Sequence, residues 1–511
     1  MENSRVSVAD TKEKDPQKNV GWLSALSGNN KRLSDMRSFF ISRKFMIITA
    51  IIGALFVLLQ AEVAGAVFFV LLMSFLLVVC DDVLTTTLPF LILCLSVLQC
   101  YDSFDTFIKF AYFAVIPVGA VIFHFVFYRR KFVAGKTLWG IVAVAVAVTL
   151  GGLGAITADE YFSGTSLYYI AALGFGMVGA YALIKSQIHT REDYDIREKF
   201  VDIMYIMGIF ACFQMLEIYG ERIMPYYLTF SGIKINHECV SVGKLLRFAF
   251  LFEHDGFIAY YLQPSNNLST FIMMALPFPL YRALNGKKES SKLHLFSILL
   301  MALCIFISKS RGGWYMGALA LVVCCVFALL YEKRIMWKIV FAAVPVSAAV
   351  AVIWYIIDHG IENLFKSFID EGLVSSNEAR LKLLFRSFND FKDNPVFGQG
   401  IGNVSNSDIY SGKTGTMTWY HMMIPQIYGS MGTVGVLAYG YQLFGRIAIA
   451  IRKRSLYVTT LALSYGGLFF MSQVNPGEFC PIPYGLIAVI LFIMIECEPD
   501  FLKKKPKPSE T

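Results

Sequence analysis

The sequence predicts an all-α fold, a polytopic bundle of transmembrane helices with one long polar insert. Composition is the first reason, because 56% of the 511 residues are hydrophobic and only 16% are charged. With a mean hydropathy of +0.58, the chain is far more apolar than soluble globular proteins. The second reason is a series of apolar runs long enough to cross a hydrocarbon core, which takes roughly 20 residues as a helix. The third is the insert, residues 375–435, where polar residues return within an apolar chain.

The apolar runs give about fourteen candidate spans, and fused runs near Gln60 and Arg311 leave the expected number at about 12–14. Each span must be helical, because lipid offers no hydrogen-bond partner to an exposed backbone group. The candidates are 39–59, 62–80, 83–100, 106–128, 137–157, 166–184, 200–219, 259–282, 293–309, 312–331, 338–357, 422–445, 456–473 and 482–496.

Basic residues predict the orientation of the spans, since Lys and Arg concentrate in cytoplasmic loops. Basic clusters occupy the N-terminal segment and every second connection, which places both termini in the cytoplasm and the polar insert outside. We therefore expect the net charge of +8 to reflect topology and contact with anionic lipid, with no nucleic-acid partner. The clusters are Lys31, Arg32, Arg37, Arg43 and Lys44; Arg129, Arg130 and Lys131; Arg191 and Arg197; Lys287 and Lys288; Lys333 and Arg334; Arg452, Lys453 and Arg454; and Lys503, Lys504 and Lys505.

The chain divides into four predicted regions. Residues 1–38 are polar without periodicity, which is typical of a disordered cytoplasmic tail and unlike a signal peptide. The spans over 39–219 hold few internal charges and are predicted to be a scaffold. The region 220–445, which includes the outer loop 358–421, holds the polar candidates and is predicted to carry the chemistry. Residues 446–511 form the last spans and a basic tail.

The outer insert is predicted to contain an amphipathic helix over 377–392. Ser375 and Glu378 have the spacing of a capping box at its start, and Asn394 with Pro395 should end it. Because apolar residues recur with a helical period, the helix should lie along the membrane surface or over the bundle. The apolar positions are Leu381, Leu384, Phe385, Phe388 and Phe391.

Two arginines lie on this predicted helix. At about 100° per residue, Arg380 falls on the edge of the apolar stripe and can reach into a cleft beneath the helix. Arg386 points away from the stripe and should be solvated. After the helix, Gly398, Gly400 and Gly402 predict a tight, flexible turn.

A second group of candidates lies at the outer ends of later spans. Lys309 and Arg311 precede a pair of glycines. An arginine there either snorkels to the lipid head groups or is held in a narrow cleft, where its planar fork of donors suits phosphate oxygens. His421 opens a later span. It is either an interfacial residue or a general base, since a neutral imidazole is available near physiological pH.

Polar residues also interrupt the apolar run around Asn267. The stretch 263–267 would break a helix near its outer end, which is tolerated only where the backbone lines a cavity or is buried in protein. It is either a re-entrant turn without a ligand or an amide pair that faces a polar substrate. The outer segment before it, 220–256, holds further polar residues, among them Arg247.

Cysteine and histidine give no sign of a metal site, since no CxxC or His-x-x-x-His spacing occurs. Most of the ten cysteines lie in apolar spans as small hydrophobic residues. Cys239 and Cys480 are both predicted outside and could pair. No internal repeat with a period of about 20–50 residues is evident, which disfavours transporters built from two related halves.

Short motifs follow one another along this outer region. They are Ser310-Arg311-Gly312-Gly313-Trp314, Arg380 fifteen residues before Pro395, the run from Asn394 to Gly400 with Gly402-Asn403, and Tyr420-His421 followed by Gly432 and Gly435. In order, spacing and outer placement, the motifs resemble the O-antigen ligase and polymerase family of bacterial membrane glycosyltransferases. The resemblance covers roughly residues 245–445. It departs at Met422, where the family often has Asn.

The resemblance implies a GT-C-like helical fold that acts on undecaprenyl-diphosphate-linked glycans, outside the bacterial cytoplasmic (inner) membrane, without a cofactor, metal or nucleotide sugar. It implies that Arg311 and Arg380 bind the diphosphate and that His421 activates the acceptor hydroxyl. Beside the glycan and membrane lipids, expected partners are flippase and chain-length regulator proteins. The candidate substrate-binding residues are Arg247, Asn267, Lys309 and Arg386.

The resulting hypothesis is an inverting enzyme that polymerises the repeat units of a surface polysaccharide. Transfer from a lipid diphosphate needs a base beside the acceptor and positive charge beside the leaving group. The alternatives are a ligase that moves a finished glycan to a lipid or protein, a flippase or other transporter of lipid-linked glycans, and a membrane scaffold. A transporter should carry ionisable groups near the bilayer midplane, whereas these candidates cluster at the outer boundary.

Overall fold

The computed structural model describes residues 31–59, 61–96, 115–128, 132, 134–154, 164–188, 195–222, 264–285, 291–308, 310–359, 374–401, 420–475 and 477–500. Across these residues the chain is 88% helical and has no strand. The predicted all-α class is therefore confirmed.

The helices of the N-terminal half are α1 Lys31–Ile41, α2 Arg43–Leu58, α3 Glu62–Val79, α4 Thr87–Ser96, α5 Val115–Phe127, α6 Thr137–Gly154, α7 Gly164–Tyr169, α8 Met177–Gln187 and α9 Ile196–Arg222. A 3-10 turn, Val83–Thr86, precedes α4, and a π-helical segment, Ile170–Gly176, joins α7 to α8. The helices of the C-terminal half are α10 Pro264–Ala275, α11 Pro277–Asn285, α12 Ser291–Ile307, α13 Arg311–Tyr331, α14 Ile335–His359, α15 Val374–Asp393, α16 Met423–Arg452, α17 Leu456–Ser472 and α18 Leu486–Cys497. Short turns, Gly477–Phe479 and Pro481–Gly485, join α17 to α18.

Each predicted span overlaps a helix or a pair of consecutive helices. Within the described ranges, four helical stretches are long and apolar enough to cross a membrane, and a fifth arises if α1 and α2, bent by 66°, are counted together. Most other predicted spans fall on shorter apolar helices. These helices indicate a multi-pass membrane protein, and the number of spans stays a prediction. The four stretches are Ser166–Gln187, Ile196–Glu217, Gly312–Tyr331 and Met423–Arg452.

Local sequence explains where several helices begin. Ser42, Ser310 and Ser455 are N-caps, because each side chain accepts a hydrogen bond from the backbone N–H three residues later. Proline opens α10 and α11, and it suits the first position of a helix because the missing N–H would have no helical partner there. Helix α10 therefore begins at Pro264, inside the predicted break at 263–267, and Pro277 adds a second break within the same apolar run.

One end of the bundle is held together by ion pairs. Arg282 of α11 contacts both Glu198 and Asp202 of α9, and Lys199 lies 2.6 Å from Asp82. The basic clusters predict that this end is cytoplasmic. Further pairs at this end are Arg197–Glu498, Arg334–Glu332, Lys185–Glu496 and Arg452–Asp500.

A buried ion pair lies inside the bundle. After α17 the chain turns back, so that the Glu478 carboxylate meets the Arg446 guanidinium of α16. Both side chains are less than a tenth exposed. This pair was not predicted from the sequence, because Arg446 and Glu478 come together only when distant segments pack.

Candidate active site

Helix α15 is the predicted amphipathic helix of the insert, but it begins at Val374, so Ser375 lies inside the helix and not at the predicted N-cap position. Much of its apolar stripe is uncovered, because Leu381, Phe385 and Phe388 are each about half exposed. The buried side carries Leu383 and Ser387 instead. The uncovered stripe suits a helix that lies at a membrane surface.

Polar contacts attach α15 to the start of α16. Tyr420, just before α16, donates a hydrogen bond of 2.5 Å to Asp390. Three residues earlier on α15, the hydroxyl oxygens of Ser387 and Tyr428 lie 2.8 Å apart. Phe388 stacks on the Tyr428 ring, with the ring centroids 5.2 Å apart. The two helices are therefore joined by two separate hydroxyl contacts.

The turn after α15, residues 394–401, fills a break in α16. The break is at Gly432, whose φ of 59° and ψ of −154° are not helical. Such a break leaves backbone groups on both sides without helical partners, and the turn supplies those partners. The hydrogen bonds, 2.9–3.2 Å long, run from Gln399 N to Gly429 O, Gly400 N to Ser430 O, Thr433 N to Pro395 O and Val434 N to Val396 O.

Two glycines allow this close backbone approach. Gly398 has a φ of 70°, and a Cβ on it would lie 2.4 Å from Met431 N. A Cβ on Gly432 would lie 2.5 Å from Val396 O. Both glycines also have positive φ, which side chains disfavour. The turn is tight, as predicted, but its described part is fixed against α16 and is not a flexible connection.

His421 lies between this turn and the helix that follows. It has a φ of 57° and is the single non-glycine residue with positive φ in the part of the chain that the structure describes. On one side, the Tyr420 N–H donates to Gln426 Oε1 at 2.9 Å. On the other, Gln426 N–H donates to Met422 O at 3.0 Å, which begins α16. Backbone strain of this kind is typical of functional sites.

Arg311 opens α13, directly after the N-cap Ser310. Ser310 also donates a hydrogen bond to the Asn266 side chain of α10. A Cβ on Gly313 would lie 3.0 Å from Ser269 Oγ of the same helix. The start of α13 is thus packed against the first turns of α10.

The starts of α13 and α16 meet the same helix end. A Cβ on Gly312, beside Arg311, would lie 2.9 Å from the Val474 side chain, just after α17. The neighbouring Gln473 donates to Met423 Sδ at 3.4 Å, two residues after His421. The helix starts that follow Arg311 and His421 therefore converge on the end of α17. We call this end of the bundle, where α10, α13 and α16 begin and which the basic clusters predict to be extracytoplasmic, the outer end.

The other predicted site residues differ in how the structure places them. Arg380 and Arg386 lie on α15, half-buried, and Arg386 Nε is 3.9 Å from Asp390. Asn267 lies at the outer end, where its carbonyl accepts a hydrogen bond of 2.9 Å from Tyr484. Arg247, Lys309 and Cys239 lie outside the described residues.

The electrostatics of the outer end favour an anion. Three helices begin there, and the N-terminus of a helix carries unpaired N–H groups and a partial positive charge.

Burial raises the pKa of Asp390, against the opposing hydrogen bond from Tyr420 and the charge of Arg386. Across the residues described, no group of three or more His, Cys, Asp or Glu side chains is placed to hold a metal ion.

Sequence reasoning missed the residues that hold the His421 turn. Asp390 had no visible signal, because a carboxylate on an amphipathic helix usually faces solvent. Tyr420 and Gly432 were noted only as parts of short motifs. The positive φ at Gly432 and the buried Tyr420 hydroxyl depend on contacts between segments distant in sequence, which no local pattern records.

Comparison with known families gives one match to this region. Residues 296–440 match the family model described as O-antigen ligase, a shorter stretch than the 245–445 expected. No curated protein sequence matches the chain. The match contains Arg311, Arg380 and His421, whereas Asn267 and Arg247 lie before it. Residues 296–440 are therefore similar to the O-antigen ligase family, and the predicted resemblance to the O-antigen ligase and polymerase family is confirmed over these residues.

Proposed function

We propose that the protein is a membrane glycosyltransferase that polymerises undecaprenyl-diphosphate-linked repeat units of a surface polysaccharide, on the outer face of the bacterial cytoplasmic membrane. The family match supports the general activity, that of an O-antigen ligase- or polymerase-type enzyme for lipid-linked glycans. The observation that carries the proposal is the convergence of the starts of α13 and α16 on the end of α17. It brings the segments of Arg311 and His421 to one end of the bundle.

The proposed reaction is a single displacement. His421 takes the proton of an acceptor hydroxyl, whose oxygen attacks the anomeric carbon of the donor from the side opposite the diphosphate. The bond between that carbon and the diphosphate oxygen breaks, so the configuration inverts. His421 later gives its proton to water. A positioned base contributes roughly 10²- to 10⁴-fold to such a reaction.

Arg311 and Arg380 have the complementary role of stabilising the leaving diphosphate. Arginine is always charged and offers paired donors to phosphate oxygens. Fixed donors of this kind stabilise charge where it develops in the transition state, without a metal ion. The helix starts at the outer end add partial positive charge in the same region.

A ligase is the alternative within the same chemistry, because it would use the same base and the same arginines with a different acceptor. A flippase or transporter is the alternative from another class. The buried pair of Arg446 and Glu478 is an ionisable group within the bundle, as a transporter would need, but the two charges are paired with each other. Charges inside a membrane usually pair with one another in either class of protein, so it is the family match that favours the enzyme over the transporter.

The test is reconstitution of the purified protein in liposomes with a lipid-diphosphate oligosaccharide. We expect the wild-type protein to lengthen the lipid-linked glycan, and the separate variants His421→Ala, Arg311→Ala and Arg380→Ala to lose this activity at least about 100-fold. Gly440→Ala is the matched folding control, since a Cβ there meets nothing within 4 Å.

The products separate the alternatives. A finished glycan moved intact to an added lipid or protein acceptor would identify a ligase. Movement of labelled lipid across the bilayer without a new glycosidic bond would identify a transporter. Wild-type chain lengths from the His421 and Arg311 variants would remove both residues from the mechanism.

A further inference from the structure

We infer that Asp390 and Tyr420 are positioning residues, which hold His421 in the orientation that it needs as the general base. This inference rests on the proposed function and adds two residues to it. It starts from the backbone of His421, whose φ of 57° is unfavourable for any residue with a Cβ. Such a conformation persists only where the surroundings enforce it.

Tyr420 is the neighbouring residue that holds the His421 backbone in this conformation. The side chain is fully buried, and both its hydroxyl and the backbone N–H of the residue are hydrogen-bonded. Its N–H donates to Gln426 Oε1 at 2.9 Å, and its hydroxyl donates to Asp390 at 2.5 Å. Below the ring lies Gly429, where a Cβ would come within 2.9 Å of the ring atoms. Tyr420 thus cannot shift without breaking one of these contacts.

The hydrogen bond between Asp390 and Tyr420 also links the segment of Arg380 to the segment of His421. Asp390 lies on α15, the helix of Arg380, while Tyr420 precedes His421. Fixing one to the other sets the distance between the helix that is proposed to hold the diphosphate and the residue that is proposed to activate the acceptor. A misplacement of about 1 Å in such an arrangement can reduce the rate about 100-fold.

The same two helices supply a matched control. Ser387 and Tyr428 form the second hydroxyl contact between α15 and α16, at 2.8 Å, but Tyr428 lies seven residues beyond His421. Tyr420→Phe and Tyr428→Phe each delete one hydroxyl and keep the ring. If Asp390 and Tyr420 only attach α15 to α16, the two variants should behave alike.

The experiment measures polymerisation in liposomes with a lipid-diphosphate oligosaccharide, for Tyr420→Phe, Tyr428→Phe, Asp390→Ala and Asp390→Asn. We expect Tyr420→Phe and Asp390→Ala to lower kcat about 10- to 100-fold with KM nearly unchanged. Asp390→Asn keeps an acceptor oxygen and should recover most of the loss seen in Asp390→Ala. The double variant of Tyr420→Phe and Asp390→Ala should be no slower than either single one.

Two outcomes would overturn the inference. One is equal kcat for Tyr420→Phe and Tyr428→Phe, and the other is a loss that appears in KM alone. His421→Ala, measured in parallel, separates this result from the proposed function. If His421→Ala is inactive and Tyr420→Phe is not impaired, only the positioning role fails. If His421→Ala is active, the proposed base itself fails.

Discussion

Arg446 and Glu478, 32 residues apart in sequence, form a hydrogen-bonded ion pair of 2.6 Å inside the helix bundle. Tyr465 of α17 accepts a second hydrogen bond from Arg446 at 2.7 Å, and the guanidinium lies over the Tyr465 and Phe492 rings, 4.7 and 4.9 Å from their centroids. The pair thus joins α16, α17 and the segment that returns after α17.

Removing one member of this pair should be more damaging than removing both. Glu478→Ala leaves a buried guanidinium without its counter-charge, which we expect to destabilise the protein by about 3–5 kcal/mol. Replacing both residues with apolar ones of similar size, Arg446→Met with Glu478→Leu, should be much less destabilising. Thermal unfolding in detergent measures both. A double variant that is less stable than Glu478→Ala would contradict this prediction.

The contact between the 394–401 turn and the break in α16 depends on glycine at position 432. Gly432→Ala would put a Cβ 2.5 Å from Val396 O, on a backbone that only glycine adopts readily. We expect a loss of about 1–3 kcal/mol or more in stability, together with faster proteolysis of the turn. Gly440→Ala, on the same helix but in open space, should be neutral or stabilising by up to about 1 kcal/mol. Similar unfolding temperatures for the two variants would refute this role of Gly432.

The sequence predicted the parts of the fold that have local causes. Helix α15 could be located because its apolar period acts within one segment, and the spans because lipid demands long apolar runs. The glycines after α15 correctly predicted a tight turn. The break at Gly432, which this turn fills, was not predicted. Asp390 and Glu478 could not be identified, because each meets its partner only when distant segments pack. Local patterns specify elements, whereas the contacts around His421 arise from how those elements meet.

Arg380 and Lys382 lie on the same helix. Comparing them tests whether any positive charge on α15 is enough or whether the charge must be at position 380. If Arg380 stabilises the leaving diphosphate, Arg380→Gln should lower kcat about 10²- to 10³-fold. The exposed Lys382 contributes only a screened charge, so Lys382→Gln should change the rate at most about fivefold. Polymerisation rates in liposomes at two salt concentrations distinguish a specific role of Arg380 from a general effect of charge on α15. Equal losses would mean that α15 acts only through its net charge.

Chelation tests the proposal that arginine replaces a metal ion at the diphosphate. Because guanidinium groups and helix starts supply the positive charge, we expect polymerisation to continue at the wild-type rate in excess EDTA. The measurement is chain length of the lipid-linked product after incubation with EDTA, with added Mg²⁺ as the comparison. A loss of activity that Mg²⁺ restores would assign the charge stabilisation to a metal.

The pKa of Asp390 makes a prediction about stability and pH. Burial raises this pKa, with a contribution from Asp393, while the hydrogen bond from Tyr420 and the charge of Arg386 oppose the rise. The folded protein therefore holds the Asp390 proton more tightly than the unfolded chain does. Stability should fall as the pH rises from the unfolded value, about 3.9, through the folded value, and should then level off.

Asp390→Asn removes this dependence and keeps an acceptor for Tyr420. The free energy of unfolding of the variant, minus that of the wild type, should therefore grow from about pH 4 upward and reach a plateau. Unfolding in detergent at a series of pH values measures this difference, and Asp393→Asn, exposed on the same helix, controls for a general charge effect. A difference that shrinks as the pH rises would mean that the partners of Asp390 outweigh its burial. In that case the bond to Tyr420 would hold a stabilised carboxylate at neutral pH, and acid would weaken it.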